Sequence, residues 1–381
     1  MTQSDAPFGT HTAHEPPAES LAGARLTVDL GALSANWRTL VTEVGDPAKV
    51  AAVVKADGYG IGDVRAATAL AAAGCRTFFV GLPEEGVRLR RALPDVTIYI
   101  LAGLITGSAP VLAAHRLRPV LGSPGEIAEW ATARRNGLAA EAAVHVDTGM
   151  NRLGLSLAEA KALAADPGLL ALVAPTLLVS HLACADTPAH PLNARQLAAF
   201  RDTCALFPGV PASLANSAGV FFGREYHFDL VRPGMALYGG IFSEEHAPLR
   251  TVVTVEARVL RVRDGAAGST VGYGATQTLA TPSRIAILGA GYADGYHRAA
   301  SSRDGKPGPR VFIRGQHAPI LGRVSMDLIA VDVTAIPAVT AGDWAELFGT
   351  HVPVDEVAGC AGSVGYELLT QLSPRYARRY V

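Results

Sequence analysis

The sequence predicts an α/β protein in which an N-terminal (β/α)8 TIM-type barrel is followed by a mainly β C-terminal domain. Eight short apolar runs alternate with helical segments before about residue 249, and eight strands make such a barrel. Most of these runs are mainly apolar instead of alternating, which is typical of parallel strands buried on both faces. After residue 249 the pattern changes to short β-branched runs separated by Gly and Pro, as in an all-β domain.

The eight predicted barrel strands are 51–56, 77–81, 96–101, 118–122, 142–147, 174–182, 212–217 and 228–234. Helical composition between the strands is clearest at 83–93, 124–136, 157–166 and 192–207. Ser123 and Pro124 are typical of a helix start, with Glu126 at the third helical position. A doubly wound open sheet is the structural alternative, but the count of eight strands favours the barrel.

The strands predicted after residue 249 make up the C-terminal β domain. They are 251–262, 284–288, 310–314, 320–324 and 328–333. We therefore expect three parts in the chain: a polar, disordered tail over 1–22, the barrel over 23–248, and the β domain over 249–381.

Composition excludes several classes of protein. With 49% hydrophobic residues the chain can bury a full core. A net charge of −1 gives no excess of positive charge with which to bind nucleic acid or an anionic membrane surface. No apolar run is long enough to span a bilayer, and four scattered cysteines indicate a reducing, cytoplasmic location.

Polar residues follow five of the predicted barrel strands at the end where barrel enzymes carry their chemistry. They are Lys55, Asp147 with Arg152 shortly after it, His181, Asn216 with Ser217, and Arg232. Each residue alone has an ordinary explanation. A lysine after a strand is usually a solvent-exposed cap, and a histidine beside an apolar strand is usually a hydrogen-bonded core residue. Five at one rim predict an active site with a lysine, an arginine pair and a histidine.

The lysine indicates the chemistry. A lysine inside a barrel mouth can lose its proton through desolvation and form a Schiff base with an aldehyde. Tyr59, other hydroxyl groups and backbone N–H groups could bind an anionic group. These residues therefore suit an aldehyde cofactor that carries a phosphate. From the residues alone a Schiff-base aldolase fits nearly as well. His181, Cys184 and His190 lack a fourth ligand at structural zinc spacing, so we predict no metal.

Several segments together resemble the bacterial alanine racemase family, whose members are fold-type III pyridoxal phosphate enzymes. The segments are VVKADGYG, DTGMNRLG, SHLACAD, ANSAG, RPGMALYG, VGYGAT, GYADGY, GRVSMD and YELLTQLSPR. They follow the family's order and extend from about Leu26 to Tyr380. The resemblance implies a cytoplasmic racemase that interconverts L-alanine and D-alanine, for peptidoglycan synthesis or for D-alanine catabolism.

The resemblance also implies the cofactor and the site residues. Lys55 matches the lysine that binds pyridoxal 5'-phosphate and acts as the base on one face, and Tyr273 matches the base on the other. Tyr59, Ser217 and Tyr366 match phosphate-binding positions. The remaining matches to cofactor-binding positions are His181, Asn216, Arg232, Gly234 and Met235. The matches to substrate-binding positions are Arg152, Tyr292, Met326 and Asp327.

Two further implications follow from the family. The residues that match Tyr273, Tyr292 and Met326 reach the site from the partner subunit, so a homodimer with shared sites is implied. Racemisation removes the Cα proton on one side and returns it on the other, which requires two bases. An arginine at the pyridine nitrogen, matched by Arg232, keeps its proton and should limit side reactions.

The sequence departs from the family pattern near the site. His145 stands where many members carry a carbamylated lysine, so we expect no carbamylated residue there and a different support for Arg152. Asp57 and Gly58 replace the common Asn-Ala after the cofactor lysine. Ser325 stands where many relatives carry cysteine, so thiol inhibition at that position should be absent.

Three other functions compete with this interpretation. A racemase of broader specificity, for serine and other amino acids, would share the chemistry and differ in pocket size. A pyridoxal phosphate decarboxylase is disfavoured because such enzymes tend to place an acidic residue, and not an arginine, at the pyridine nitrogen. A non-enzymatic cofactor carrier is disfavoured by the β domain that bears Tyr273, Tyr292 and Met326.

Overall fold

The computed structural model describes residues 18–240 and 249–381. The first 17 residues of the predicted tail and the segment 241–248 lie outside the described residues. The last part of the predicted tail is described, and Glu19–Leu21 form a turn of 3-10 helix. The chain divides into two compact units. The barrel unit comprises 29–253, 364–370 and residue 381, and the antiparallel unit comprises the residues up to Val28, 254–363 and 371–380.

The strands are β1 Ala24–Val28, β2 Ala52–Val53, β3 Thr77–Val80, β4 Thr97–Ile100, β5 Arg118–Leu121, β6 Ala142–His145, β7 Pro175–Val179, β8 Ala212–Ser213, β9 Val253–Gly265, β10 Thr270–Val271, β11 Gln277–Thr278, β12 Ser283–Leu288, β13 Arg310–Ile313, β14 Gln316–Leu321, β15 Ile329–Asp332, β16 Trp344–Phe348 and β17 Ala377–Tyr380. The helices are α1 Leu30–Val44, α2 Lys55–Tyr59, α3 Asp63–Ala73, α4 Pro83–Ala92, α5 Ala109–Ala114, α6 Pro124–Arg135, α7 Leu157–Ala164, α8 Pro167–Val173, α9 Pro191–Cys204, α10 Arg224–His227, α11 Val354–Ala361 and α12 Gly365–Thr370.

The barrel unit confirms the predicted (β/α)8 fold. Strands β2 to β8 form a parallel sheet in chain order, with helices between successive strands. The eighth predicted strand, 228–234, is not assigned as a strand, but its backbone joins the two edges of the sheet. The amide of Ala51 donates to the carbonyl of Val231 on one side, and the amide of Arg232 donates to the carbonyl of Ala215 on the other. Pro233 has no N–H, so the ladder cannot extend as a regular strand.

The interior of the barrel is packed with side chains and is not a pore. The buried cluster consists of Ala51, Val53, Phe79, Tyr99, Val120, Ala143, Leu177, Val179 and Leu230. Phe79 and Tyr99 stack with ring centroids 4.9 Å apart. Polar residues at the C-terminal ends of the strands therefore stand on an apolar floor.

The helix-start prediction at Ser123 is confirmed. Its side-chain oxygen accepts a hydrogen bond from the amide of Glu126 at 3.2 Å, which caps α6. The other predicted helices correspond to α4, α7 and α9, each within a few residues of the expected bounds.

The antiparallel unit confirms a mainly β C-terminal region. Its eight-stranded sheet has the order β12-β15-β14-β13-β16-β9-β1-β17, and β12 also pairs with β9. The long strand β9 pairs with β16 along its first half and with β12 along its second half, so six strands close into a ring. Strand β1 lies in this unit and pairs in parallel with β17. Across the described ranges, no helix is long and apolar enough to cross a membrane.

Candidate active site

One cavity of about 580 Å³ opens at the C-terminal rim of the barrel. It brings together every site residue that the sequence predicted within the barrel unit. These residues are Lys55, Tyr59, Arg152, His181, Asn216, Ser217, Arg232, Gly234, Met235 and Tyr366. Tyr366 is supplied by α12, which belongs to the barrel unit although it follows the β region in sequence. His145 lines the same cavity.

Lys55 begins an unusual turn directly after β2. The next four residues, Ala56 to Tyr59, all have positive φ values near 55°, so the chain makes a left-handed turn. Left-handed conformation costs an L-residue about 1–2 kcal/mol, and three of these four residues are not glycine. Such strain persists only where surrounding contacts hold the backbone. The turn places the lysine side chain in the cavity and Tyr59 on its wall.

The surroundings of Lys55 favour its neutral amine. Lys55 is exposed to the cavity, yet the protein around it displaces enough water for burial to lower the pKa of its amine. The positive charge of Arg152 lowers this pKa further, and the carboxylate of Glu85 raises it. A neutral amine is the form that attacks an aldehyde or removes a proton.

Arg152 lies in the loop after β6, and Asp147 shapes this loop. The Asp147 carboxylate accepts hydrogen bonds from the amides of Gly149, Met150 and Asn151, all at 2.7–2.8 Å. Asn151, the residue before Arg152, has a φ of 54°. The carboxylate therefore fixes a tight loop that projects the Arg152 guanidinium into the cavity.

Arg232 is buried in the floor of the cavity. Its terminal nitrogens donate to the Ser213 hydroxyl, to the Ser180 carbonyl and, more weakly, to the Leu214 carbonyl at 3.4 Å. Burial lowers the pKa of Arg232 to about 9, so the guanidinium is still a cation at neutral pH. Its plane is therefore fixed by three partners from the ends of neighbouring strands.

The two histidines at the cavity are neutral. Burial, followed by the positive charges of Arg232 and Arg152, lowers the pKa of His181 to about 3. Burial and Arg232 likewise lower the pKa of His145 to about 4. Nδ1 of His181 lies 3.5 Å from the Arg232 guanidinium and faces it as an acceptor. Gln196 on α9 donates to the carbonyl of His181 at 2.8 Å and holds this residue in place.

The hydroxyl groups of Tyr59, Ser217 and Tyr366 form a cup of potential hydrogen-bond donors on the cavity wall. The Ser217 hydroxyl accepts hydrogen bonds from the amides of Gly234 and Ala236, which leaves its own proton free to donate. A Cβ atom at Gly234 would lie 2.3 Å from the Tyr59 hydroxyl, so glycine is needed for this close approach. Burial raises the pKa of Tyr59 well above its ordinary value and also raises that of Tyr366, so both remain hydrogen-bond donors at neutral pH.

This cup fits the phosphate of pyridoxal phosphate. Tyr59, Ser217 and Tyr366 line the cavity together, and their hydroxyls can donate to phosphate oxygens. Asn216 supports the neighbouring turn, because its side-chain oxygen accepts from the amide of Gly219. The donor set suits a phosphate ester better than a metal, and no cluster of three potential metal ligands occurs among 18–240 and 249–381.

The remaining predicted site residues lie in the antiparallel unit and are not among those that line the cavity. Tyr273, Tyr292 and Met326 are 71%, 42% and 52% exposed. The amide of Tyr292 donates to the carbonyl of Ser325, so the Tyr292 turn and the Met326 loop are held together. Asp327 pairs with Arg375 at 2.8 Å, and Arg375 also pairs with Asp294 behind Tyr292.

Sequence reasoning missed two residues that organise these surfaces. Arg375 closes the LSPR motif and joins Asp327 to Asp294, and only its place in that motif could have indicated a role. Glu85 binds the amide that follows Lys55. Its only sequence signal was a Pro-Glu-Glu helix start at 83–85, which is typical of a helix cap.

Comparisons with known proteins agree with this geometry. The family "Alanine racemase, N-terminal domain" matches residues 28–241, and "Alanine racemase, C-terminal domain" matches residues 252–380. An alanine racemase of Rhizobium meliloti is 50% identical over 94% of this chain and 97% of its own. A catabolic alanine racemase of Mesorhizobium japonicum is 43% identical over 96% of this chain and 95% of its own.

Solved structures give the same result. The structure of alanine racemase from Bartonella henselae with covalently bound pyridoxal phosphate superposes with a TM-score of 0.89 at 40% identity. It covers 94% of this chain and 100% of that one. The biosynthetic alanine racemase from Pseudomonas aeruginosa gives a TM-score of 0.86 at 34% identity, over 95% of this chain and 100% of that one. With both domain profiles matched, and with relatives similar along nearly all its length, the chain belongs to the alanine racemase family.

Proposed function

We propose that this protein interconverts L-alanine and D-alanine, with pyridoxal 5'-phosphate covalently bound to Lys55. The observation that carries the proposal is the barrel cavity, in which a lysine of lowered pKa shares one space with three phosphate-binding hydroxyls and a buried arginine. When bound there, the cofactor supplies an electron sink that stabilises negative charge at the substrate Cα. A relative of 40% identity carries pyridoxal phosphate covalently bound.

Each residue at the cavity has a proposed task in holding the cofactor. Tyr59, Ser217 and Tyr366 donate hydrogen bonds to the phosphate, with the backbone at Gly234 and Met235 beside them. Arg232 faces the pyridine nitrogen as a donor that keeps its own proton. His181, held neutral, packs near the ring, and Asn216 supports the cup.

The proton transfers are assigned to two bases. Lys55 removes or returns the Cα proton on one face, and Tyr273 of the partner subunit does so on the other. Arg152 holds the substrate carboxylate, and its positive charge adds to the lowering of the Lys55 pKa by burial. Tyr292, Met326 and Asp327 complete the substrate side of the site.

This assignment requires a homodimer with two shared sites, which we include in the proposal. The exposure of Tyr273, Tyr292 and Met326 supports it, since these side chains are large, apolar in part, and uncovered in the single chain. We also propose that the sequence divides functionally into a tail at 1–22, a cofactor-binding barrel at 23–248 and a β domain at 249–381, with the exceptions that 24–28 form a strand of the antiparallel unit and that 364–370 bring Tyr366 to the barrel unit. Four free cysteines support a cytoplasmic location.

The proposal is tested with purified protein, added pyridoxal phosphate and L-alanine in heavy water. Optical rotation and deuterium at Cα are followed together. Loss of rotation with matching deuterium uptake is expected, and both should disappear in Lys55→Ala. Absence of both in the unsubstituted protein would refute the alanine assignment.

A second substrate tests the alternative of broader specificity. L-serine is assayed beside L-alanine under the same conditions. Comparable kcat/KM values for the two would favour a broad-specificity racemase. Release of carbon dioxide from either amino acid would instead indicate a decarboxylase.

A further inference from the structure

Glu85, on α4, accepts hydrogen bonds from the backbone of two loops: the loop after β2, which begins at Lys55, and the loop after β3. One carboxylate oxygen accepts a hydrogen bond from the amide of Ala56 at 2.8 Å. The other accepts from the amides of Gly81 and Leu82 at 2.7 and 3.1 Å. Glu85 is 7% exposed, so these three bonds are made out of contact with bulk solvent. A single buried side chain thus ties the start of the Lys55 turn to the end of β3.

The Lys55 turn needs such support at both ends. Its four left-handed residues begin at Ala56, the residue whose amide Glu85 binds. At the far end, Arg88, one helical turn after Glu85 on α4, makes two hydrogen bonds to the Asp63 carboxylate. The amide of Asp63 in turn donates to Asp57 within the turn. The same helix therefore holds the strained segment at its beginning and its end.

The position of the Lys55 side chain depends on the same contact. A Cβ atom at Gly81 would lie 3.2 Å from Oε2 of Glu85 and 3.6 Å from Cβ of Lys55, so both side chains flank this glycine. The Glu85 charge also raises the pKa of Lys55, against the lowering by burial and Arg152. The charged and titratable groups around this cavity are Glu85, Tyr59, His145, Arg152, His181, Asp186, Arg232 and Tyr366.

The chain repeats this arrangement one strand pair further along the barrel. Glu126, at the third position of α6, accepts from the amide of Gly122 and from the amide of Leu104 at 3.1 Å. It therefore ties the end of β5 to the loop after β4, as Glu85 ties the end of β3 to the loop after β2. The loop that Glu126 holds carries no lysine. Glu126 consequently provides a matched control for a purely structural role.

We infer that Glu85 is a positioning residue for Lys55: its carboxylate fixes the amide after the lysine and so sets the point from which the lysine side chain reaches the bound cofactor. The inference rests on the proposed function, because it concerns the lysine that binds pyridoxal phosphate. Glutamine in place of Glu85 keeps the size but has only one acceptor oxygen, so it cannot accept from the N–H groups of both loops, and its NH2 group would face an N–H donor. Aspartate keeps the charge but is too short to reach both loops.

The test follows capture of pyridoxal phosphate by cofactor-free protein, recorded by absorbance between pH 6 and pH 10. Each profile gives a limiting rate and a pH midpoint, and thermal melting is measured beside it. In Glu85→Gln the limiting rate should fall roughly ten- to a hundredfold, because small misplacements of a reacting group have effects of this size. The midpoint should move to lower pH because a negative charge near Lys55 is lost. Glu126→Gln should lower the melting temperature and leave both quantities unchanged.

Glu85→Asp separates position from charge, and it carries the test if the glutamine variant does not fold. It should keep the pH midpoint of the unsubstituted protein and show a reduced limiting rate. A Glu85→Gln profile that matches the unsubstituted protein or Glu126→Gln would overturn the inference, as would an unchanged limiting rate in Glu85→Asp. If the unsubstituted protein does not capture the cofactor at Lys55, located by borohydride reduction and peptide mapping, the proposed function itself fails and this inference fails with it.

Discussion

Tyr273 and Lys55 differ sharply in their surroundings within the chain. Lys55 lies in a cavity, at the start of a turn whose backbone is hydrogen-bonded to Glu85. Tyr273 is 71% exposed and lies on a short 3-10 turn of the antiparallel unit. The guanidinium of Arg323 lies against Gly274, the next residue, and gives this turn a cationic neighbour. The two proposed bases are therefore supplied by separate surfaces, and each can be removed without disturbing the other.

Tyr273→Phe should separate proton exchange from inversion. With only Lys55 left as a base, the Cα proton of one enantiomer can still exchange with heavy water but returns to the same face. We expect deuterium uptake into one enantiomer with optical rotation retained. Tyr292→Phe, which changes a less exposed tyrosine of the same unit without a proposed proton transfer, should keep inversion. Full racemisation by Tyr273→Phe would remove Tyr273 from the mechanism.

His145 should make the cofactor-free protein sensitive to acid. Its pKa is lowered to about 4 in the folded state, against about 6.5 in the unfolded chain. Between these values the unfolded state binds more protons, so the free energy of unfolding falls as the pH falls below about 6.5. His145→Asn should reduce this dependence by up to about 1.4 kcal/mol per pH unit, with His181 left to titrate. Urea unfolding at pH 7, 6 and 5 measures the free energy of unfolding of the unsubstituted protein and of His145→Asn. The same pH dependence in both proteins would contradict this prediction.

At the scale of residues, the sequence was informative where a side chain interrupts a pattern. Lys55 and Arg232 could be predicted because a charge at the end of an apolar strand is unusual, and the structure places both at the cavity. Glu85 could not, because a glutamate at the third position of a helix is an ordinary cap. What distinguishes Glu85 from Glu126 is that the amide it binds, that of Ala56, directly follows Lys55, and this hydrogen bond joins residues that are 29 positions apart.

Among the elements, α12 depends most directly on the Lys55 turn. Gly60 ends this turn with a φ of 84°, and a Cβ atom there would lie 2.0 Å from the carbonyl oxygen of Leu369 in α12. The same helix carries Tyr366 into the cavity. The lysine turn and the helix that completes the phosphate cup therefore pack backbone against backbone.

Gly60→Ala should weaken cofactor binding by displacing α12. Gly45→Ala is the matched control, because Gly45 has a φ of 88° and nothing within 4 Å of a Cβ atom. The control should lose about 1 kcal/mol of stability from the left-handed backbone alone. Gly60→Ala should lose more and should also show a higher Kd for pyridoxal phosphate, measured by fluorescence titration. Equal effects of the two substitutions on stability, with an unchanged Kd, would contradict this packing.

Elements were predictable from the sequence wherever burial imposes a simple period. The mainly apolar runs of β3 to β7 were found, but the last predicted strand is only an isolated bridge, because Pro233 prevents a regular ladder. Strand β17 was missed because its sequence, ARRY, has two arginines and no alternating apolar pattern. Its pairing with β1 depends on residues at the opposite end of the chain.

At the scale of the whole molecule, the proposal of shared sites makes a distinctive prediction about mixed subunits. Lys55→Ala and Tyr273→Phe should each be inactive in racemisation as homodimers. In a mixed dimer, one site combines the intact Lys55 of one subunit with the intact Tyr273 of the other. Random mixing by joint refolding should therefore restore about a quarter of the unsubstituted activity, since about half of the dimers are mixed and each has one intact site.

Each variant refolded alone is the control and should remain inactive. Size-exclusion chromatography of the mixture should show the mass of a dimer. If the mixture stays as inactive as its parents while dimers form, Lys55 and Tyr273 act within one subunit, and the shared-site proposal is wrong.

The pairing of β1 with β17 also has a consequence for synthesis of the chain. Of the strands among residues 18–240 and 249–381, ribosomes make β1 first and β17 last, so the edge of β1 lacks its parallel partner until residues 377–380 are made. Strands β2 to β8 are complete much earlier, and the barrel can begin to fold while the antiparallel unit waits. If translation stopped before residue 377, the released chain would have an unpaired edge on β1, and an unpaired strand edge promotes aggregation or proteolysis.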